Sequence, residues 1–180
     1  MKTKNVIIGV TASVACYKAL DVIGALKKSG ANVTVILTKE AEEFIKPILF
    51  QAVSGNKVIS YDMFKLSEEW DIEHVSLAEK ADCLAIIPAT ANIIAKVASG
   101  ICDDMLTCAI CATKAPVLFA PAMNEKMYEN KITQENIKKL KGLGYSFTGP
   151  IKGMLMCGKV GMGHIQDTEK IIEEVKRLLK

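Results

Sequence analysis

Apolar residues form short unbroken runs in some parts of this chain and recur every three to four positions in others, and the two patterns alternate. Residues 5 to 10 (NVIIGV) and 32 to 37 (NVTVIL) are β-branched runs of strand length; the segment between them, 14 to 29, has helical spacing and stops at Gly30. Strand, helix and strand in that order predict a parallel βαβ unit. Two further apolar runs, 82 to 88 (DCLAIIP) and 115 to 120 (APVLFA), are separated by helical stretches around 92 to 99 and 103 to 112. Strands this uniformly apolar are buried on both faces. The expected fold is therefore α/β, a three-layer Rossmann-like parallel sheet with helices on both faces. The last segment, DTEKIIEEVKRLLK, puts Ile171, Ile172, Val175, Leu178 and Leu179 on one helical face, with Asp167 placed to cap its start. Residues 55 to 74 are the least periodic and predict a loop or flap. No repeat, low-complexity tract or linker divides the sequence, so 1 to 180 is expected to be a single domain whose core needs no disulfide or metal.

Composition narrows the function classes. Half of the residues are hydrophobic, 6% are aromatic and the net charge is +3. A nucleic-acid surface shows clustered Lys and Arg with stacking aromatics, so none is expected, whereas a phosphate ligand is tolerated. The opening MKTKNVIIGVTASVACYK has the lysines, apolar run and small residues of a signal peptide. Removing it would delete the first strand and helix start, so it is read as part of the fold. No later run is long and apolar enough to span a membrane, and a cytoplasmic protein with six largely reduced cysteines is expected.

Open parallel sheets bind ligands beyond the carboxyl ends of their strands, which makes the residues there the candidates. After the first strand, GVTASVACYK (9 to 18) is neither GxGxxG nor a Walker loop. Its hydroxyls, Thr11 and Ser13, lead into a helix start that favours an anion, and they also suit plain helix caps. After the second strand, Thr38 precedes KEAEEF, and Phe44 suits either the core or a flat ring. In PATANI, Pro88 ends a strand, Ala89 and Ala91 permit close backbone approach, and Thr90 and Asn92 can read a sugar or ring edge; Asn92 as a helix cap is the competing account. In PAMNEKMYEN, Asn124 stands between Met123 and Met127, as a carboxylate or amide binder or simply a loop asparagine. His74, beside Asp71 and Glu73, is either a structural residue at a helix start or an acid–base group. The CAIC at 108 to 111 has no second CxxC and reads as buried helix, so no metal is expected. Last, GMLMCGKVGMGHI (153 to 165) sets Cys157 among four glycines. Cysteines kept for bulk are usually buried in regular elements, so a thiol on a glycine-rich flap reflects either chemistry or an accident of sequence.

Taken in order, GVTASVACYK, EHVSLAEKADCLAIIPATAN, ASGICDDMLT, FAPAMNEKMYEN and GMLMCGKVGMG cover almost the whole chain and resemble the homo-oligomeric flavin-containing cysteine decarboxylases. The resemblance implies a flavodoxin-like fold holding FMN. The phosphate would lie near Thr11, Ser13 and Thr38, with Ala12 and Val14 in the same turn, and the ring near Phe44 and the loop formed by Pro88, Ala89, Thr90, Ala91 and Asn92. By the same resemblance His74 is the catalytic histidine, Asn124 holds the substrate carboxylate beside Met123 and Met127, and Cys157 lies on a mobile clamp at about 151 to 166. Within the group the sequence is most similar to members acting on the small molecule 4'-phosphopantothenoylcysteine in coenzyme A synthesis, here without the fused ligase domain of many bacterial versions. In the implied reaction the flavin would take a hydride from the cysteine moiety to give a thioaldehyde, CO2 loss would leave an enethiol, and return of the hydride with a proton from Cys157 would give 4'-phosphopantetheine. Trimers, often grouped into dodecamers, are implied as well, with the site at subunit contacts. The chain departs from the group at Tyr128, where tryptophan is usual, in PATANI for PASANT, and at Met156 and His164, where alanine and arginine are usual. Two other readings are a peptidyl-cysteine decarboxylase, which stops at the enethiol and has no use for Cys157, and a non-catalytic flavin-binding regulatory subunit, which calls for acidic or extended tails.

Overall fold

The computed structural model describes residues 3–59, 61, 73–156 and 158–180. Parallel strands β1 (Asn5–Val10), β2 (Asn32–Leu37), β3 (Cys83–Ala89), β4 (Val117–Pro121) and β5 (Ser146–Phe147) form one sheet in the order β2-β1-β3-β4-β5. The connecting helices are α1 (Lys18–Lys28), α2 (Pro47–Ser54), α3 (Glu73–Lys80), α4 (Ala91–Ala98), α5 (Met105–Ala112), α6 (Glu125–Glu129), α7 (Lys131–Gly142) and α8 (Thr168–Leu178).

Successive side chains of a strand point to opposite faces, and here both faces are apolar. Val6, Ile8, Val10, Cys83, Ala85 and Ile87 pack against α1 and α8, through residues such as Leu26 and Val175. Their alternates Ile7, Leu84, Ile86 and Phe119 pack against α4, α5 and α7, through residues such as Ile93, Leu106 and Leu140. Each large side chain so buried contributes about 1.5–3 kcal/mol relative to exposure. The result is the expected parallel sheet covered on both faces. Its strand order is that of flavodoxin-like sheets, in which the chain reverses direction between β1 and β3 and opens a crevice at their carboxyl ends.

Several local expectations are corrected. The helix expected over 14 to 29 is two pieces, a 3-10 turn (Val14–Tyr17) followed by α1, because Ser13 Oγ accepts the Ala15 N–H and tightens the entry. Pro88 does not end β3, which runs on to Ala89. Asp167 stands at the start of α8 but makes no capping bond with its side chain. Phe44 is 52% exposed and so is not a core residue. In the region read as a loop, Ile59 bridges Ile36 of β2 and α3 begins at Glu73; Asp71 lies outside the described residues. Beyond the sheet, residues 151 to 166 carry an antiparallel pair, β6 (Ile151–Met154) and β7 (Val160–His164). Cys16 and Cys83 are packing cysteines inside regular elements; burial pushes both thiols up, that of Cys83 to about 12, with the neighbouring Asp82 carboxylate adding to it.

Candidate active site

Each of the first four strands is followed within three residues by one that caps the next helical element. Ser13 Oγ accepts from Ala15, Thr38 Oγ1 from Ala41, Thr90 Oγ1 from Ile93 and Asn124 Oδ1 from Lys126, at 2.9–3.3 Å. Because the strands are parallel, the four caps gather along one edge of the sheet. A hydroxyl has one hydrogen as well as its lone pairs, and an amide has an NH2 as well as its oxygen. Capping consumes the oxygen and leaves the donor for a ligand. The structural and binding accounts of these residues are therefore compatible.

Thr11 is different. Its hydroxyl donates to the Pro88 carbonyl at 2.8 Å and accepts the Thr90 N–H at 3.2 Å, with the side chain 2% exposed. Both functions of the group are spent on joining the turn after β1 to the turn after β3, across the reversal point of the sheet. Thr11 thus shapes the crevice, and its proton is not free for a phosphate. Thr11→Val, nearly isosteric, leaves the buried Pro88 carbonyl and the Thr90 N–H without partners. It is expected to lower the unfolding free energy by about 2–4 kcal/mol, while Thr11→Ser keeps most of it, as read by chemical denaturation.

Two cavities open at this edge. One of about 230 Å³ is bounded by Thr11, Ala12, Thr38, Thr90 and Asn92 from three strand ends, with Met127 of α6 across from them. Small side chains and the free hydroxyl hydrogens of Thr38 and Thr90 make it suitable for a phosphorylated planar group such as a flavin nucleotide. Lys96 and Asp104 also line it, and Lys96 pairs with Asp103 at 2.8 Å and with Asp104 at 3.5 Å. The sequence reading missed both; Asp104 lies in the quoted ASGICDDMLT stretch, and its own signal was a capping box with Thr107 at the start of α5.

The second cavity, about 210 Å³, lies between the 3-10 turn, the Asn124 loop and the β6–β7 hairpin. Ser13 and Val14, expected beside Thr11, face this cavity with Met123 and Asn124, whereas Met127, expected beside Asn124, faces the first. Phe44, Pro88, Ala89 and Ala91 line neither. Lys18 and His164 were not anticipated as a pair: Lys18 Nζ stands 3.4 Å from His164 Nε2, and His164 Nδ1 stands 3.1 Å from the Met154 carbonyl. A carbonyl only accepts, so Nδ1 carries the hydrogen and Nε2 receives a bond from the Lys18 ammonium. The side chain of His74 and the whole of Cys157 lie outside the described residues; the backbone of His74 is in the first turn of α3.

A doubly wound parallel sheet with hydroxyl-lined turns at its reversal point defines a nucleotide-binding α/β protein. More particularly, the chain belongs to the Flavoprotein family, whose profile matches residues 1–180. A Streptococcus mutans protein named probable phosphopantothenoylcysteine decarboxylase is 41% identical over 98% of this chain and 99% of its own. The coenzyme A biosynthesis bifunctional protein CoaBC of Borreliella burgdorferi is 42% identical over 96% of this chain but 44% of its own, so the chain spans less than half the length of such bifunctional relatives. Among solved structures, a cysteine-to-serine mutant of PPC decarboxylase complexed with pantothenoylaminoethenethiol superposes with a TM-score of 0.87 at 29% identity, covering 98% of each chain. The FMN-dependent cysteine decarboxylase SpaF gives 0.85 at 29% identity, covering 98% of this chain and 97% of its own.

Proposed function

We propose that this chain is an FMN-dependent decarboxylase of 4'-phosphopantothenoylcysteine, forming 4'-phosphopantetheine in coenzyme A synthesis. The observation that carries the reading is the Asn124 amide. Its oxygen is committed to the Lys126 N–H, which leaves the NH2 as the group it offers to the second cavity, and a carboxylate needs a donor. Similarity to the Streptococcus mutans protein over both full lengths supports the substrate, and similarity to SpaF supports the cofactor.

Bound FMN supplies the reversible two-electron chemistry that gives the departing carboxylate an electron sink. The chain does the rest. Thr38 and Thr90, with Ala12 allowing close approach, hold the cofactor in the first cavity. Asn124 orients the carboxylate, and His74 acts as base or orienting group for the substrate thiol. Cys157, on a clamp at 151 to 166, delivers a proton to carbon in the second half of the reaction with water excluded. His74→Asn is expected to slow flavin bleaching on anaerobic substrate addition by about 10²-fold or more; an unchanged bleaching rate would remove His74 from the mechanism.

The chain is read as one domain working as a homotrimer, or as a homododecamer built of such trimers, in the cytoplasm. Exposed apolar side chains of Val14, Tyr17, Met154 and Met156, all at the second cavity, support contact with another copy there. The test of the reading is to release the cofactor by heat, identify it chromatographically, and follow substrate by mass spectrometry. FMN and a product lighter by CO2 are expected; a colourless protein that cannot be reconstituted with FMN overturns it.

A further inference from the structure

We propose that Glu125 is a positioning residue: its carboxylate seats the glycine strand β7 on the Asn124 loop and so fixes where the hairpin stands over the second cavity. The proposal rests on the decarboxylase reading above. Glu125 is the first residue of α6, directly after the Asn124 cap. Its Oε1 accepts the Met162 N–H at 3.0 Å. A Cβ added at Gly161 would stand 2.6 Å from the same carboxylate oxygen, so strand and carboxylate are matched in size. On the other side of Asn124, the Met123 N–H donates to the Gly163 carbonyl at 3.0 Å.

Asn124 is therefore bracketed by the two residues that hold β7, one through its backbone and one through its side chain. One edge of β7 is satisfied by β6, and Met123 and Glu125 supply partners for backbone groups that the ladder does not use. A bond to an ionised acceptor is stronger than one between neutral groups, which suits the seat on which the clamp at 151 to 166 is set over the ligand. No other side chain bonds the backbone of β7 among the described residues. Among the described residues the Glu125 carboxylate is thus the side-chain link between the loop that carries Asn124 and the backbone of the strand that covers the cavity.

The test compares Glu125→Ala, Glu125→Gln, Gly161→Ala and the Glu125→Ala/Gly161→Ala double variant as flavin-loaded proteins. Two readouts are taken: hydrogen exchange of the Met162 amide, and the partition of product between enethiol and saturated thiol. Glu125→Ala should speed Met162 exchange and raise the enethiol share, each by about tenfold, while Glu125→Gln, which keeps an acceptor oxygen, recovers most of both. Gly161→Ala should mimic Glu125→Ala, and the double variant should be no worse than either, because the two changes break one contact. Unchanged Met162 exchange in Glu125→Ala overturns the proposal. So does an unchanged product partition, or an equal fall of both half-reactions tracking the melting temperature. If the parent protein turns over no substrate, the functional reading fails, and the exchange measurement still decides whether Glu125 holds β7.

Discussion

Gly163→Ala is expected to reduce turnover by about 10²-fold or more while leaving the fold intact. Gly163 has a φ of +132°, a backbone conformation that side chains rarely adopt, and an added Cβ would overlap the Met123 carbonyl oxygen. Alanine must therefore drive β7 away from the loop that carries Asn124, breaking the Met123–Gly163 hydrogen bond in the lining of the second cavity. The parallel sheet should hold, since among the described residues β7 pairs with β6 alone, and the nearest core residue, Ile165, lies beyond the end of β7. Circular dichroism and thermal melting should stay near the parent values as kcat/KM falls. Activity within twofold of the parent would mean that the hairpin is not part of the reaction.

Cys157→Ser is expected to separate the two halves of the reaction. An alcohol is a far weaker acid than a thiol, so delivery of the second proton should slow by about 10²–10⁴-fold while the steps leading to CO2 release proceed. Enethiol should accumulate in the mass spectrum, with the flavin absorbance remaining bleached. Normal saturated product from this variant would take the role of acid away from Cys157. A parent protein that itself stops at the enethiol would favour the peptidyl-cysteine reading.

The first four strands, the presence of helices on both faces and the ligand edge were legible because they depend on patterns within about ten consecutive residues, whereas β5, β6 and β7 are short and were not read. Val6 to Val10 and Cys83 to Ile87 announce burial on both sides by their own composition. What sequence hid was convergence. The Thr11 hydroxyl meets partners 77 and 79 positions away, and nothing in GVTASVACYK distinguishes a hydroxyl spent on another loop from one left for a phosphate. The sharing of residues between the cavities was hidden for the same reason. Ser13 and Thr11 are two positions apart yet line different cavities, because the chain bends at Ala12 and Ser13 ahead of its 3-10 segment. Phe44 was left open between the core and a flat ring because sequence does not show where a short turn sends its last residue; the turn from Lys39 to Glu43 leaves it on the surface. The helices α2, α6 and α7 went unassigned; α7 buries only Thr133, Ile137 and Leu140, a narrow stripe in a polar sequence. Glu125 gave no signal at all, because its partner is the backbone of a strand 37 residues away.

The most direct test of the account is the visible absorption spectrum of the purified protein, recorded before and after anaerobic addition of 4'-phosphopantothenoylcysteine. The account predicts an oxidised-flavin spectrum that bleaches on mixing and then recovers as a product lighter by CO2 appears. A flavin spectrum indifferent to this compound, with no product formed, would contradict it.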